Sequence, residues 1–206
     1  TFAQAQLHLA VEQAVSGGRV ELLSKTGFLK DHAVVDGVIG RVRISRGCLS
    51  ACSFCSTKNA RGDLASTPVT QLRQVVEELA RQGVKEVDLT SQDAGCYGFD
   101  LGVNAASLLE RLNDVRGDFF IRLGMGNPQH FRRFTPDLLN ALALPKVFKF
   151  LHVPVQSGSD SVLRKMKRGH TVEDFEGIAL SFNGRFPNGH LATDIIVGFP
   201  GETEED

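Results

Sequence analysis

The sequence predicts an α/β fold with a parallel sheet and crossover helices, and three observations predict it. From residue 40 onward, strand-like and helix-like runs alternate through five strands. Each strand-like run ends in a short loop rich in Gly, Ser, Asn, Asp or Pro: "SRGCLSAC", "TSQDAG", "GMGNP", "PVQSGS" and "GFPGET". Hydrophobic residues make up 42% of the 206 positions, enough for a packed core.

The elements follow in order. Residues 2–16 read as an amphipathic helix closed by Gly17 and Gly18, and residues 17–39 are less regular. "GRVRIS" (40–45) alternates Val42 and Ile44 with Arg41 and Arg43, a strand pattern. Thr67 and Pro68 start a helix at its cap and first position; Leu72, Val75, Val76 and Leu79 form its apolar stripe, and Gly83 ends it. "KEVDLTS" (85–91) and "FFIRLGM" (119–125) read as strands on either side of a helix at 106–115, which ends at Gly117. "TPDLLNALAL" (135–144) repeats the cap-proline helix start. "VFKFLHVPV" (147–155) is a strand, 159–168 and 171–183 are helical, and "LATDIIVGF" (191–199) is the last strand. In α/β folds the ligand site lies at the C-terminal ends of the strands, so the five loops are expected to converge on one site.

Charge and cysteine usage narrow the function. A net charge of -1 gives no support to a strongly basic nucleic-acid-binding surface. No apolar run reaches the roughly 20 residues that span a bilayer, and no signal peptide is visible, so no membrane partner is expected. Four cysteines, three of them clustered, do not read as a secreted disulfide framework, and a reducing cytoplasm is expected. The chain starts at Thr1, and its final "GFPGETEED" reads as a helix start with no helix after it. Both ends are therefore expected to be cut from a longer protein. The expected organisation is residues 1–39 as a linker or the end of a preceding domain, and 40–206 as the main domain.

The chemistry concentrates in "RGCLSACSFCSTKNARG", residues 46–62, where Cys48, Cys52 and Cys55 fall within eight positions. A structural zinc site takes four ligands, often paired as C-x2-C. An iron–sulfur cube also takes four, one per iron, so three thiolates leave one iron open to a substrate or cofactor. Zinc held by Cys48, Cys52, Cys55 and Cys96 in a non-catalytic module is the competing reading; Cys96 is otherwise a passenger.

C-x3-C-x-aromatic-C, with Phe54 in the aromatic slot after the first strand, resembles the radical S-adenosylmethionine (SAM) superfamily. "GCLSACSFCSTKNARGDLAS", "LTSQDAGCYGFDLG", "RLGMGNP", "FLHVPVQSGSDSVLRKMKRGHTVEDF" and "ATDIIVGFPGET" together resemble its methylthiotransferases. "ARGDLAS" and "TSQDAGCYG" are most similar to the archaeal and eukaryotic-type threonylcarbamoyladenosine tRNA methylthiotransferases. The resemblance runs from about Arg43 to Glu202.

The resemblance implies a partial (β/α)6 TIM-like barrel, here incomplete at its C-terminal end. It implies a [4Fe–4S] cluster on Cys48, Cys52 and Cys55, with SAM on the fourth iron. The implied reaction converts N6-threonylcarbamoyladenosine beside the anticodon to its 2-methylthio derivative. That needs tRNA as partner and an electron donor. Radical chemistry suits an aromatic C–H that no ordinary base can deprotonate. By the same resemblance Phe54 lies near the adenine, and Ser91, Gln92 and Asp93 near the SAM amine. Gln156 and Ser157 are expected at the ribose or carboxylate, one of Arg164, Lys165 and Arg168 at the carboxylate, and Gly198 and Gly201 against the adenine. The superfamily often has Gly-Gly-Glu where this chain has Ser91-Gln92-Asp93. His152 reads as a satisfied core histidine. Full-length relatives carry a second cluster in an N-terminal domain and a C-terminal RNA-binding domain. This chain is therefore expected to cleave SAM without making methylthio-tRNA alone. Sister methylthiotransferases acting on isopentenyl-adenosine tRNA or on a ribosomal protein are the alternatives.

Overall fold

A computed structural model describes Glu12, Val15, Ser16 and residues 33–206. The chain divides into two units, residues 1–32 and 33–206. In the first, Glu12 and Val15 are helical, and the Ser16 N–H donates to the Glu12 carbonyl at 3.1 Å. The rest of the expected helix at 2–16 lies outside the described residues.

The second unit opens with a hairpin. β1 (Ala33–Asp36) runs antiparallel to β2 (Ile39–Arg43), turning at Gly37, whose φ is +59°. The barrel unit therefore begins at Ala33, upstream of the strand at Gly40 where the sequence reading started it. β3 (Ser45–Arg46) and β4 (Ala65–Ser66) form a small antiparallel ribbon around α1 (Thr57–Arg61). Then follow α2 (Val69–Arg81), β5 (Glu86–Thr90), α3 (Ala105–Asn113), β6 (Phe120–Leu123), α4 (Pro128–Phe131) and α5 (Thr135–Leu142). β7 (Phe150–His152), α6 (Asp160–Lys165), α7 (Val172–Arg185) and β8 (His190–Ala192) complete the unit.

β2, β5 and β6 are parallel neighbours, and β7 pairs parallel with β8. An Ile121–Val147 bridge and a hydrogen bond from the Gly126 N–H to the His152 carbonyl (3.0 Å) carry β6 to β7. Five parallel strands thus stand in chain order, the parallel sheet that the sequence pattern predicts and the partial barrel that the resemblance implies. The last strand is shorter than 191–199: β8 stops at Ala192 and resumes as a bridge between Ile195 and Gln156. The Thr193 hydroxyl breaks the ladder by donating to the Val153 carbonyl and accepting from the Val155 N–H.

Alternation decides which face is buried. Val42, Val87, Leu89, Ile121 and Leu123 point to the helices and are shut from water. They meet Leu72, Val76 and Leu79 of α2 and Leu108, Leu109 and Leu112 of α3 in one core. The intervening Arg41, Asp88 and Arg122 project to the opposite, concave face. Pro68, not Thr67, occupies the cap of α2; the Thr67 carbonyl instead accepts from the buried Tyr97 hydroxyl at 2.8 Å. Thr135 likewise lies inside α5, whose cap is Phe134. Among the described residues no helix is long and apolar enough to cross a membrane.

Candidate active site

The cysteine loop is fixed by its backbone. Gly47 turns with φ +72°, and an added Cβ there would collide with the Asp63 and Gly62 carbonyls. Its N–H donates to Gln92 Oε1 at 2.8 Å, tying the loop to the end of β5. Lys58 Nζ donates to the Cys48 carbonyl and to Asp63 Oδ1, both at 2.6 Å. On the far side the Ser53 N–H and hydroxyl donate to the carbonyls of Met166 and Lys165. The loop is thereby clamped between the strand-end loops and α6.

Cys48, Cys52 and Cys55 line one cavity of about 490 Å³ including its open mouth. Phe54, Gln92, Asp93, Gln156 and Arg168 line it as well, as do Ser50, Met125, Gly126, Asn127 and Pro154. Gln92 and Asp93, Met125 to Asn127, and Pro154 and Gln156 follow the parallel strands β5, β6 and β7, so the site lies at the C-terminal end of the sheet.

Arg168 is the cation that reaches in. Its Nη1 approaches Cys52 Sγ at 3.5 Å and its Nη2 donates to the Pro154 carbonyl at 2.6 Å. α6 ends at Lys165, and Lys167 takes φ +56°, which turns the chain so that Arg168 comes back toward the cavity. Arg164 and Lys165 are exposed and do not line it, although Lys165 Nζ donates to the Gly201 carbonyl.

Asp93 is the hub beneath the cysteines. Its Oδ1 accepts from the Gly95 N–H (2.9 Å) and the Asn127 N–H (3.0 Å). Its Oδ2 meets His130 Nδ1 at 2.8 Å and Cys48 Sγ at 3.7 Å. Asp93 lines the cavity while its carboxylate carries these partners. Asn127 Nδ2 continues the network to the Ser50 hydroxyl at 3.1 Å.

Cys96 lies fully buried behind Asp93, with its Sγ 3.3 Å from the Asp93 carbonyl oxygen, and does not line the cavity. Donor atoms of Cys48, Asp93 and Cys96 lie within 4.8 Å of one another. A hydrogen bond from the Cys96 thiol lowers the Cys48 pKa to about 6, against burial and the Asp93 charge. Cys96 itself is pushed strongly up, by that same contact and by burial. Cys48 is therefore biased toward thiolate, the form that ligates iron. Three thiols on one cavity wall, one of them acidified, fit a site-differentiated [4Fe–4S] cluster. A four-cysteine zinc site would need Cys96, which is buried behind Asp93 and does not line the cavity shared by the other three.

Other expected residues fall outside the cavity. The Ser91 hydroxyl is buried without a partner, and Ser157 is buried with its hydroxyl accepting from the Ser159 N–H. Gly198 and Gly201 are exposed with positive φ. His152 is not a core residue: it projects to the concave face, where its Nε2 meets Asp194 Oδ2 at 3.0 Å. The sequence reading missed Ser50, Met125, Asn127 and His130. "GMGNP" was legible as a strand-end loop, and its Asn-Pro pair as the start of a short helix capped by the Asn127 side chain.

The radical SAM superfamily model matches residues 42–206. A probable threonylcarbamoyladenosine tRNA methylthiotransferase of Pyrococcus horikoshii is 49% identical over 162 residues, covering 79% of this chain and 38% of that protein. The threonylcarbamoyladenosine tRNA methylthiotransferase of Homo sapiens is 45% identical over 210 residues, covering 95% of this chain and 36% of that protein. This chain thus spans well under half the length of these relatives. Among solved structures, the radical S-adenosylmethionine methyltransferase TsrM of Kitasatospora setae, bound to tryptophan and a SAM analog, aligns with a TM-score of 0.65. It is 22% identical and covers 81% of this chain and 32% of that one. The cobalamin-dependent radical enzyme OxsB aligns with a TM-score of 0.61 at 18% identity, covering 76% of this chain and 23% of that one. At such identities these structures speak for the fold alone.

Proposed function

The chain belongs to the radical SAM superfamily, and on that premise we propose that it is the SAM-cleaving barrel of a tRNA methylthiotransferase acting on N6-threonylcarbamoyladenosine. The observation that carries the reading is the convergence of Cys48, Cys52 and Cys55 with Gln92, Gln156 and Arg168 on one cavity at the strand ends. The archaeal and human relatives that match most of the chain bear that substrate in their names.

Cys48, Cys52 and Cys55 would hold the [4Fe–4S] cluster, which when bound would supply the one-electron reduction of SAM. The remaining roles belong to the chain's own side chains. Arg168, braced on the Pro154 carbonyl, offers a guanidinium edge to the methionyl carboxylate. Gln156 presents an amide from the end of the fourth parallel strand, and Gln92 does so from the second while holding Gly47. Phe54, Met125 and Pro154 give the cavity apolar wall that limits water around a reactive intermediate. Asp93, with His130 and Asn127, fixes the floor.

The tRNA, an electron donor and a second cluster for the sulfur complete the reaction in the full-length protein, which we assign to the cytoplasm. The test is anaerobic. The protein is reconstituted with iron and sulfide, reduced and given SAM, and 5′-deoxyadenosine is quantified against Cys52→Ala. Cysteine-dependent product supports the SAM-cleaving role; zinc in place of iron sinks it. The substrate is tested by feeding the full-length protein tRNA with and without the threonylcarbamoyl group and looking for the 2-methylthio nucleoside.

A further inference from the structure

The concave face of the sheet is unusual. The lining of a (β/α) barrel is ordinarily filled by branched apolar side chains. Here β2, β5 and β6 put Arg41, Asp88 and Arg122 on one line, because Arg41 pairs in register with Asp88 and Asp88 with Arg122. Asp88 keeps one buried carboxylate oxygen, Oδ1, without a hydrogen bond.

Arg122 is the member of this line with a ligand-like disposition. Its guanidinium carbon lies 4.5 Å from the centroid of the Phe150 ring on β7. Among the described residues it makes no hydrogen bond and no ion pair; Asp88 is its neighbour in register but not its salt-bridge partner. A guanidinium held on an aromatic face keeps its N–H donors in the plane, free for a two-pronged contact. Its charge is nonetheless felt on this face, since it lowers the Glu86 carboxyl against the stronger raising effects of burial and Asp88.

Arg122 also stands at a telling distance from the cavity. Gly126 in the cavity wall lies four positions further along, about 13 Å of extended chain. The one intervening position on the same face is Gly124, which carries no side chain. A ligand reaching from the cavity along this face therefore meets the Arg122 side chain without obstruction from β6.

We propose that Arg122, stacked on Phe150, is the specificity-determining residue that takes the carboxylate of the substrate's threonylcarbamoyl group. The proposal rests on the substrate reading above. Threonine joined through its amine keeps a free carboxylate. That carboxylate hangs from the N6 side of the base, while the reacting C2 sits across N1 from it, so the acid lies away from the cluster cavity when C2 faces it. The same arginine excludes apolar N6 substituents, which would bury the guanidinium with no partner.

The test uses the full-length enzyme that carries this chain, reconstituted anaerobically. The substrates are two anticodon stem-loops, one with threonylcarbamoyladenosine and one with its threoninamide analogue. The readout is the ratio of kcat/KM for acid over amide. A charge-assisted bidentate contact predicts a wild-type preference for the acid of about 30- to 100-fold. Arg122→Gln should bring the ratio to near one, Arg122→Lys should leave an intermediate ratio, and Phe150→Leu should lower it with the arginine still present. Because each variant is judged by a ratio between two substrates, a general loss of fold or cluster cancels. An Arg122→Gln enzyme that keeps the wild-type ratio overturns the proposal while leaving the reaction intact. A wild type that methylthiolates acid and amide equally also overturns it. A wild type that cleaves SAM but methylthiolates neither stem-loop overturns the substrate reading and the proposal with it.

Discussion

His130 Nδ1 meets Asp93 Oδ2 at 2.8 Å, and both side chains are almost wholly shut from water. This contact joins the loop after β5 to α4, beside Cys48. Removing Asp93 strands the N–H groups of Gly95 and Asn127 together with the imidazole. Asp93→Ala should cost about 3–5 kcal/mol, measured by chemical denaturation, and should depress iron uptake. Asp93→Asn, which keeps an acceptor for the two N–H groups, should cost clearly less. Equal stabilities for wild type and Asp93→Ala would remove Asp93 from its place as hub.

The cysteines divide by position. Alanine at Cys48, Cys52 or Cys55 should lower bound iron from about four per chain to below one after reconstitution. Cys96→Ala should leave iron binding in place and cost roughly 1 kcal/mol of packing, because its sulfur is buried behind Asp93 and does not line the cavity. Iron and sulfide analysis of the four variants checks both statements. Iron loss with Cys96→Ala equal to that with Cys52→Ala would contradict the division.

Arg168 touches Cys52 and holds the Pro154 carbonyl, whereas Arg164 faces solvent. Arg168→Ala should weaken SAM binding by about tenfold or more, and Arg168→Lys should recover part of that, since a lysine lacks the planar fork. Arg164→Ala should bind SAM as the wild type does. Equilibrium dialysis under anaerobic conditions, with iron content as a control, separates them.

His170 gives the fold a pH dependence. Burial pushes its imidazole down to about 4, with the Arg168 charge adding to the effect. Neither ring nitrogen completes a hydrogen bond, and the Val155 backbone offers only a marginal partner. The unfolded chain takes up this proton near pH 6.5 and the folded one only near 4, so the unfolded state binds more protons in between. Stability from this group is therefore complete above about pH 6.5 and falls as pH drops toward 4. His170→Phe should flatten that part of the curve in denaturation midpoints taken from pH 7 to 4. An unchanged slope would mean that other groups set it.

Much of this architecture could be read from residue order, and the exceptions have physical reasons. The strands at Val42, Leu89 and Leu123 announced themselves by alternation, and α2 by the stripe of Leu72, Val76 and Leu79. β1 did not, because Val34 and Val35 are both substantially exposed and supply no buried alternation, although Asp36-Gly37 is a hairpin signal. α1 buries no residue, so Thr57–Arg61 has no periodicity to find. In the site, the cysteine spacing was legible by itself. Choosing Arg168 over Arg164 and Lys165 was not, because the choice is made by where α6 ends and how Lys167 bends the chain. His130 was invisible as a lone histidine until the fold brought Asp93 against it, 37 positions away in sequence.

The turn at Lys167 has a counterpart at Gln156, where φ is +78°, and neither residue is a glycine. The left-handed backbone costs an ordinary side chain about 1 kcal/mol at each position. Glycine would relieve that strain but would also loosen the unfolded chain, so the two effects oppose each other and net stability changes little. Drift at these two positions therefore meets weak resistance from folding. Yet they bracket α6, Lys167 immediately precedes Arg168, and Gln156 itself lines the cavity. A descendant that changes one of them keeps its barrel and re-aims its ligand contacts, which makes this pair of bends a place where a lineage can acquire a different substrate preference without rebuilding its core.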